Sequence, residues 1–530
     1  MSISTEKKIA YRVQTERVFK WWDYPLFIAL TFINLSAVAY FLVRWLSLKG
    51  WVHDPLSFSV FALILCVAIL NYEARWFLLI FMKRPRPIAA RPGWRVAVVT
   101  TFVKSGESLD MIENTLKAMV ALSYPHDSWI LDEEDDDHVK ALCEKYGVKH
   151  FSRKSLDQYQ ADSGVFSSRS KHGNYNTWLH EIGFDRYEII AAFDPDHVAL
   201  PNFLHKVLGY FEDSQVAYVQ AAQAYYNQKA SFIARGAAEE TYAYYSSVQM
   251  ASYGLGYPIV IGCHNTHRVE ALKQAGGFPP HDADDMLLTL IYRAKGWQGV
   301  YVPEILARGL TPVDWSGYLT QQQRWSRSVL DIKFRQYFKL YDKLPLQTRV
   351  ISFLHGFNYL YKNFTILIAL IFLVFMLATG IAPRILSTEN TFVFGYMIVA
   401  LWLCDFYRQR FYLDPRNEWG IHWRAALLQI AKWPYVLLAF YEVIVNRRTP
   451  YALTIKVGRE SRRYMLVWPH LLVTILICSA WVFGAVTGRH TNPYIHLVGA
   501  VVVTGFLALI LTEFSPTPPP YDRRLNDRER

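Results

Sequence analysis

Apolar residues in this chain are gathered into blocks. Residues 25–43, 364–382, 465–486 and 494–512 are each mostly apolar and approach the roughly 17–25 residues that a helix needs to cross hydrocarbon. Residues 56–80 form a fifth block, apolar to Leu70 and then broken by Asn71, Glu73 and Arg75. A shorter sixth, 391–407, ends at Asp405. The pattern therefore predicts six membrane spans. Between the second and third, over 95–345, the period changes. Short β-branched or apolar runs at 95–101, 128–131 and 188–193 alternate with helical patterns at 110–122 and 137–146. Strands separated by helices predict a parallel sheet with crossovers.

This divides the chain into a basic N-terminus (1–24), two spans (25–82), an α/β domain (95–345) and an interfacial segment (346–362). Spans three and four (363–413), an amphipathic interfacial helix (416–448), a loop (449–462), spans five and six (465–513) and a tail (514–530) follow. Lys7, Lys8, Arg12, Arg17 and Lys20 precede the first span, and Lys83, Arg84, Arg86, Arg91 and Arg95 follow the second. Excess Lys and Arg mark the cytoplasmic side, so both termini and the α/β domain are expected there, in a multi-pass protein of the inner (plasma) membrane. The first span lacks a small-residue cleavage site and reads as a retained anchor.

At 530 residues the chain is 52% hydrophobic with a formal charge of +11. That charge suits an anionic inner leaflet and phosphate-bearing substrates. No basic stripe interleaved with aromatics points to nucleic acid. The five cysteines, Cys66, Cys143, Cys263, Cys404 and Cys478, show no metal-ligand spacing and read as free thiols. Glu73 and Arg75, two apart on a helix, do not face each other. They read as interfacial anchors, a pore-facing role being the alternative.

Candidate chemistry sits at strand ends, where ligands bind in such sheets. Asp194-Pro195-Asp196 follows the third strand pattern. Carboxylates at i and i+2 suit Mg²⁺ or Mn²⁺, which take oxygen ligands together with substrate phosphates. The bland alternative is an Asp-Pro turn. Leu131-Asp132 ends the second strand pattern, where Asp132 could equally cap the next helix. Asp284-Asp285 begins a helical run, and Gln321-Gln322-Gln323-Arg324-Trp325 lies on a further helix. There Arg324 offers a forked donor that Lys cannot copy, and Trp325 is either core packing or a stacking platform.

The order Leu131-Asp132, Asp194-Pro195-Asp196-His197, Asp284-Asp285 and Gln321 to Trp325 resembles the processive, membrane-embedded inverting family 2 glycosyltransferases, the bacterial cellulose synthases and their curdlan and mixed-linkage glucan relatives. Lys171-His172-Gly173-Asn174, Val219 to Gln223, Gly262-Cys263-His264-Asn265, Gly276-Gly277-Phe278 and Tyr451 to Lys456, similar to that family's gating loop, agree with it over about residues 95–515. The resemblance implies a nucleotide-sugar (GT-A-like) glycosyltransferase domain inserted in an α-helical transmembrane domain of about six spans with interfacial helices. It implies Asp285 as catalytic base, Asp194 and Asp196 on Mg²⁺ or Mn²⁺, and Asp132, Glu133, Lys171, Asp194, Gln321, Arg324, Thr454 and Lys456 around the nucleotide sugar. Trp325, Cys263 and Asp284 would meet the acceptor.

Implied partners are a UDP-sugar donor, a nascent polysaccharide and membrane lipids, without nucleic acid; accessory subunits for export would fit the same scheme. Glucose is the expected monomer, β-linked and exported as it is made. Two departures bear on the product. Leu131-Asp132-Glu133-Glu134 stands where the family has Leu-Asp-Asp-Gly, and Ala283-Asp284-Asp285 where it has Thr-Glu-Asp. The acidic run from Glu133 to Asp137 otherwise reads as a solvated turn and helix-start charge. Two rival readings are a non-processive transferase acting on a lipid carrier and a transporter with a cytoplasmic regulatory domain.

Overall fold

The computed structural model describes residues 12–104, 107–447, 464–489 and 492–514. Thr454 and Lys456 lie outside them. Eight strands form one sheet: β1 (Val96–Phe102), β2 (Asp127–Asp132), β3 (Lys149–Phe151), β4 (Ile189–Phe193), β5 (Val198–Ala199), β6 (Val216–Tyr225), β7 (Asn265–Arg268) and β8 (Gln298–Gly309). Their order is β3-β2-β1-β4-β7-β6-β8-β5. The helices Leu109–Val120 and Asp137–Tyr146 cross over between the early strands. Because side chains alternate along a strand, Val96 and Val98 enter one core with Ile112 and Leu116, while Ala97 and Val99 enter the other with Tyr175 and Trp178.

The sheet is mixed, where the strand–helix alternation had predicted a parallel one. β7 runs antiparallel between β4 and β6, and β5 antiparallel to β8. The reversal into β7 is made by Gly262 at φ 22° and His264 at φ 50°. β7 itself is Asn265-Thr266-His267-Arg268, a polar strand that no apolar run announces.

Among the described residues, six helical segments are long and apolar enough to cross a membrane: Trp21–His53, Pro55–Phe81, Leu346–Thr379, Thr388–Gln409, Met465–Val486 and Pro493–Phe514. They match the six sequence blocks, and the protein is a multi-pass membrane protein. The single interfacial helix expected over 416–448 is instead three pieces, Pro415–Glu418, Trp423–Ala431 and Trp433–Ile444. The last two bend by 43° at Pro434, which cannot donate to the preceding turn. Counting that bent pair as a span would make seven.

The α/β domain and the membrane-side helices pack directly. Gly236, in the helix Phe232–Ala243, lets Leu428 approach so closely that an added Cβ would lie 2.6 Å from its Cδ1. Ser316 Oγ donates to Glu513 Oε1 of the last span at 2.6 Å. Glu73 accepts from Asn34 Nδ2 at 2.7 Å, tying the first two spans together, while Arg75 lines the central cavity. Neither behaves as a simple interfacial anchor.

Candidate active site

The carboxyl ends of β1, β2 and β4 open on one cavity of about 2290 Å³. Asp194 leaves β4 there, and the turn after it is closed by His197 N–H donating to the Asp194 carbonyl at 3.1 Å. Thr115 Oγ1 holds the Pro195 carbonyl at 2.7 Å. Asp196 is buried, and its Oδ2 accepts from the Leu310 N–H at 3.0 Å. Asp194, Asp196 and His197 offer ligand atoms that all lie within 4.8 Å of one another. Two hard carboxylates and one imidazole on a cavity wall fit Mg²⁺ or Mn²⁺.

Asp284 and Asp285 start the helix Asp284–Ala294 and both line the cavity. Asp285 Oδ1 accepts from Met286 N–H at 2.7 Å, and Oδ2 accepts from the Gly262 N–H. A Cβ at Gly262 would stand 3.7 Å from Asp285 Oδ2 and 4.0 Å from Asp194 Oδ2, so this glycine is where the two acidic motifs converge. Removal from bulk water, then the like charge of Asp284, pushes the Asp285 carboxyl up to about 6. Burial also raises Asp284, against the pull of Lys171. Lys171 Nζ donates to Asp194 Oδ1 at 2.6 Å and to the Gly262 carbonyl at 3.3 Å. Burial works against that ammonium, yet Asp194 and Asp284 hold its pKa well above the ordinary value.

The helix Trp315–Asp331, capped by Asp314 accepting from Gly317 N–H at 2.7 Å, carries Gln321, Arg324 and Trp325 onto the cavity wall. Its Gln322 accepts from Lys432 Nζ at 3.0 Å, and Lys432 also meets Glu240 Oε1 at 3.0 Å. This strip joins the helix Trp315–Asp331 to the membrane-side helices.

Other sequence candidates are placed differently. Asp132 is fully buried, with Oδ1 accepting from Glu134 N–H at 3.1 Å and Oδ2 from Asp136 N–H at 2.6 Å. His150 Nε2 lies 3.1 Å from that Oδ2. Its carboxylate shapes the loop, and it is Glu133 and Glu134 that line the cavity. Glu133 is gripped by the buried Arg153, from Nη2 to Oε1 at 2.8 Å and Nε to Oε2 at 3.1 Å, a partner that sequence reasoning missed. Cys263 lines the wall, and the fold brings it, His197 and His264 together with ligand atoms within 4.8 Å of one another. That juxtaposition across distant segments has no counterpart in cysteine spacing. Burial, then neighbouring His197, drives the His264 pKa well down.

A mixed sheet of this order, with carboxylates at its strand ends facing the acidic start of a helix, is a GT-A-like fold. Residues 92–328 match the family model described as glycosyltransferase like family 2. Glucomannan 4-beta-mannosyltransferase 1 of Oryza sativa subsp. japonica is 22% identical over 522 residues, 88% of this chain and 97% of that protein. Cellulose synthase 2 of Novacetimonas hansenii is 24% identical over 319 residues, 57% of this chain and 19% of that one. A cellulose synthase catalytic subunit of Xanthomonas axonopodis pv. citri (strain 306) is 22% identical, covering 47% and 34%. The chain thus spans under two thirds of both cellulose synthases. Among solved structures, a mannosyltransferase from Pyrobaculum calidifontis shares the fold, with a TM-score of 0.50 at 16% identity over 74% of this chain and 99% of that one.

Proposed function

We propose that the protein is a processive, inverting β-glycosyltransferase that builds a polysaccharide from a UDP-hexose at the cytoplasmic face and passes it across the membrane. The carrying observation is continuity. One cavity is lined by Asp196 and Asp285, by Arg324 and Trp325, and by Tyr361, Lys362 and Trp402 of the membrane helices. Glucose is the preferred monomer because cellulose synthases are among the relatives, with mannose, named for the rice relative, as the alternative.

In this reading Asp285 accepts the proton of the acceptor hydroxyl as its oxygen attacks the anomeric carbon. The bond to the diphosphate breaks in the same displacement, which inverts the sugar. Its raised pKa matches the base to near-neutral pH while leaving it ionised. Lys171 holds Asp194 in place and is itself placed to meet phosphate oxygens. A divalent ion held by Asp194, Asp196 and His197 would neutralise the diphosphate leaving group. Trp325 stacks on the acceptor, and Gln321 and Arg324 bond sugar or phosphate oxygens. Asp132 acts through the loop that sets Glu133 at the nucleotide.

Sealed proteoliposomes with the catalytic domain outward, given labelled UDP-glucose, UDP-hexose alternatives or GDP-mannose with Mg²⁺ or Mn²⁺, test the reading. Polymer is expected inside, protected from added glucanase until detergent is supplied. Product fully digestible without detergent removes translocation, and a chloroform-soluble product bearing one sugar removes processivity.

A further inference from the structure

Beside His197 stands a buried imidazole that the proposed chemistry does not use. His264 is fully buried, and neither of its ring nitrogens has a hydrogen-bond partner. Buried polar atoms are rarely left in that condition, and each one that is needs a reason. The residue also sits in left-handed backbone at φ 50°, which is uncommon for anything but glycine. Its ring packs edge to face on His197 at 4.5 Å between centroids and is tilted on Phe193 at 6.2 Å. Phenylalanine would serve that packing without stranding two nitrogens.

The neighbours suit those nitrogens. Cys263, His264 and His197 offer ligand atoms that all lie within 4.8 Å of one another. The loop carrying two of them is held through its backbone. Buried Gln220 donates through Nε2 to the Cys263 carbonyl at 2.9 Å and accepts at Oε1 from the Ile261 N–H at 2.9 Å. Lys171 and Asp285 hold the Gly262 carbonyl and N–H. A sulfur with two imidazoles is a poor set for Mg²⁺ or Mn²⁺, hard ions that take oxygen, and a good one for zinc. His197 belongs to both sets, with Asp194 and Asp196 in one and Cys263 and His264 in the other. Cys263 and His197 line the cavity, so an ion entering it reaches them.

Resting on the polymerising reading above for its hard-metal site, we propose that Cys263, His264 and His197 form a zinc site that turns the enzyme off. On binding, the Cys263 thiol gives its proton to solvent and its sulfur bonds the zinc, while each neutral imidazole supplies a lone pair. Water from the cavity completes the shell. With His197 committed to zinc, the hard ion on Asp194 and Asp196 loses its third ligand, and the sulfur on the cavity wall is occupied.

Full-length protein in nanodiscs, stripped of metal and given Co²⁺ without nucleotide, tests the ligand set. Cobalt on a thiolate shows a charge-transfer band in the near ultraviolet that cobalt on carboxylates lacks. The band is expected from the native protein at one ion per chain. It should vanish in Cys263→Ser, which keeps the exposed Cys66 and Cys478 as internal controls. In His264→Asn, where asparagine tolerates the left-handed backbone, at least tenfold more cobalt should be needed. Nucleoside diphosphate release in Mn²⁺ then tests the switch, each variant being compared with its own zinc-free rate. Zn²⁺ should inhibit the native enzyme, added Mn²⁺ should relieve it, and half-inhibition of His264→Asn should take at least tenfold more zinc. A native protein without the band, a band that survives Cys263→Ser, or zinc inhibition of equal strength in both variants overturns the proposal. The band needs no turnover, so it decides the site even where the polymerising reading fails.

Discussion

Asp285→Asn is the most direct perturbation of the proposed chemistry. Asparagine keeps the volume and an oxygen for the Gly262 or Met286 N–H, but cannot take a proton. Loss of a positioned general base lowers turnover by roughly 10²–10⁴, while donor affinity should change less than about threefold. The raised pKa gives a second, finer readout. Since the ionised form is the base, activity is present above about 6 and lost as pH falls through it. At pH 5 about a tenth of the carboxylate stays ionised. Asp284→Asn removes a like charge, so the acid limb should move to lower pH. It should move only part of the way to the ordinary aspartate value, because burial is the larger cause of the shift. Single-turnover release of nucleoside diphosphate across pH 4.5–8, at saturating donor and metal, measures both effects. An Asp285→Asn enzyme within tenfold of the native rate would refute the base assignment. An acid limb that Asp284→Asn leaves in place would refute the coupling.

Four further outcomes are expected. EDTA should abolish transfer and Mg²⁺ or Mn²⁺ restore it, with Asp196→Asn raising the metal concentration needed at least tenfold; full activity in EDTA, read by diphosphate release, removes the metal site. Trp325→Ala should shorten the polymer on sizing gels more than it slows the first transfer, since a lost stacking face of about 1 kcal/mol acts at every cycle. Gly309→Ala would put a Cβ 2.1 Å from His197 Nε2, so the ring must move and metal affinity by calorimetry should weaken; unchanged affinity would exclude His197 as a ligand. Arg153→Met strands Glu133, and breaking a buried pair costs about 3–5 kcal/mol, which a denaturation curve of the purified protein should register.

The parts of the fold that were legible are those carried by period and local chemistry. Spans announce themselves because an unbroken apolar run has few other uses at that length, β1 because it is a β-branched run, and β2 and β4 because apolar runs end at acids. The sheet's direction was not legible. β7 is four polar residues reversed by a glycine and a left-handed histidine, so nothing in its side-chain pattern distinguishes it from a loop. The break at Lys432-Trp433 was marked by Pro434, but an amphipathic pattern runs through it and hides the bend.

Individual site residues show a sharper limit. Asp285, Asp194 and Lys171 sit on motifs whose order is visible, but their convergence depends on Gly262 lying between two carboxylates, a contact between segments far apart in the chain. Asp132 carries the motif most easily read, yet both its oxygens serve the loop and its neighbour Glu133 reaches the wall. A residue type at a strand end predicts that a loop will be acidic; which carboxylate faces the ligand is decided by partners such as Arg153, which lies beyond the motif.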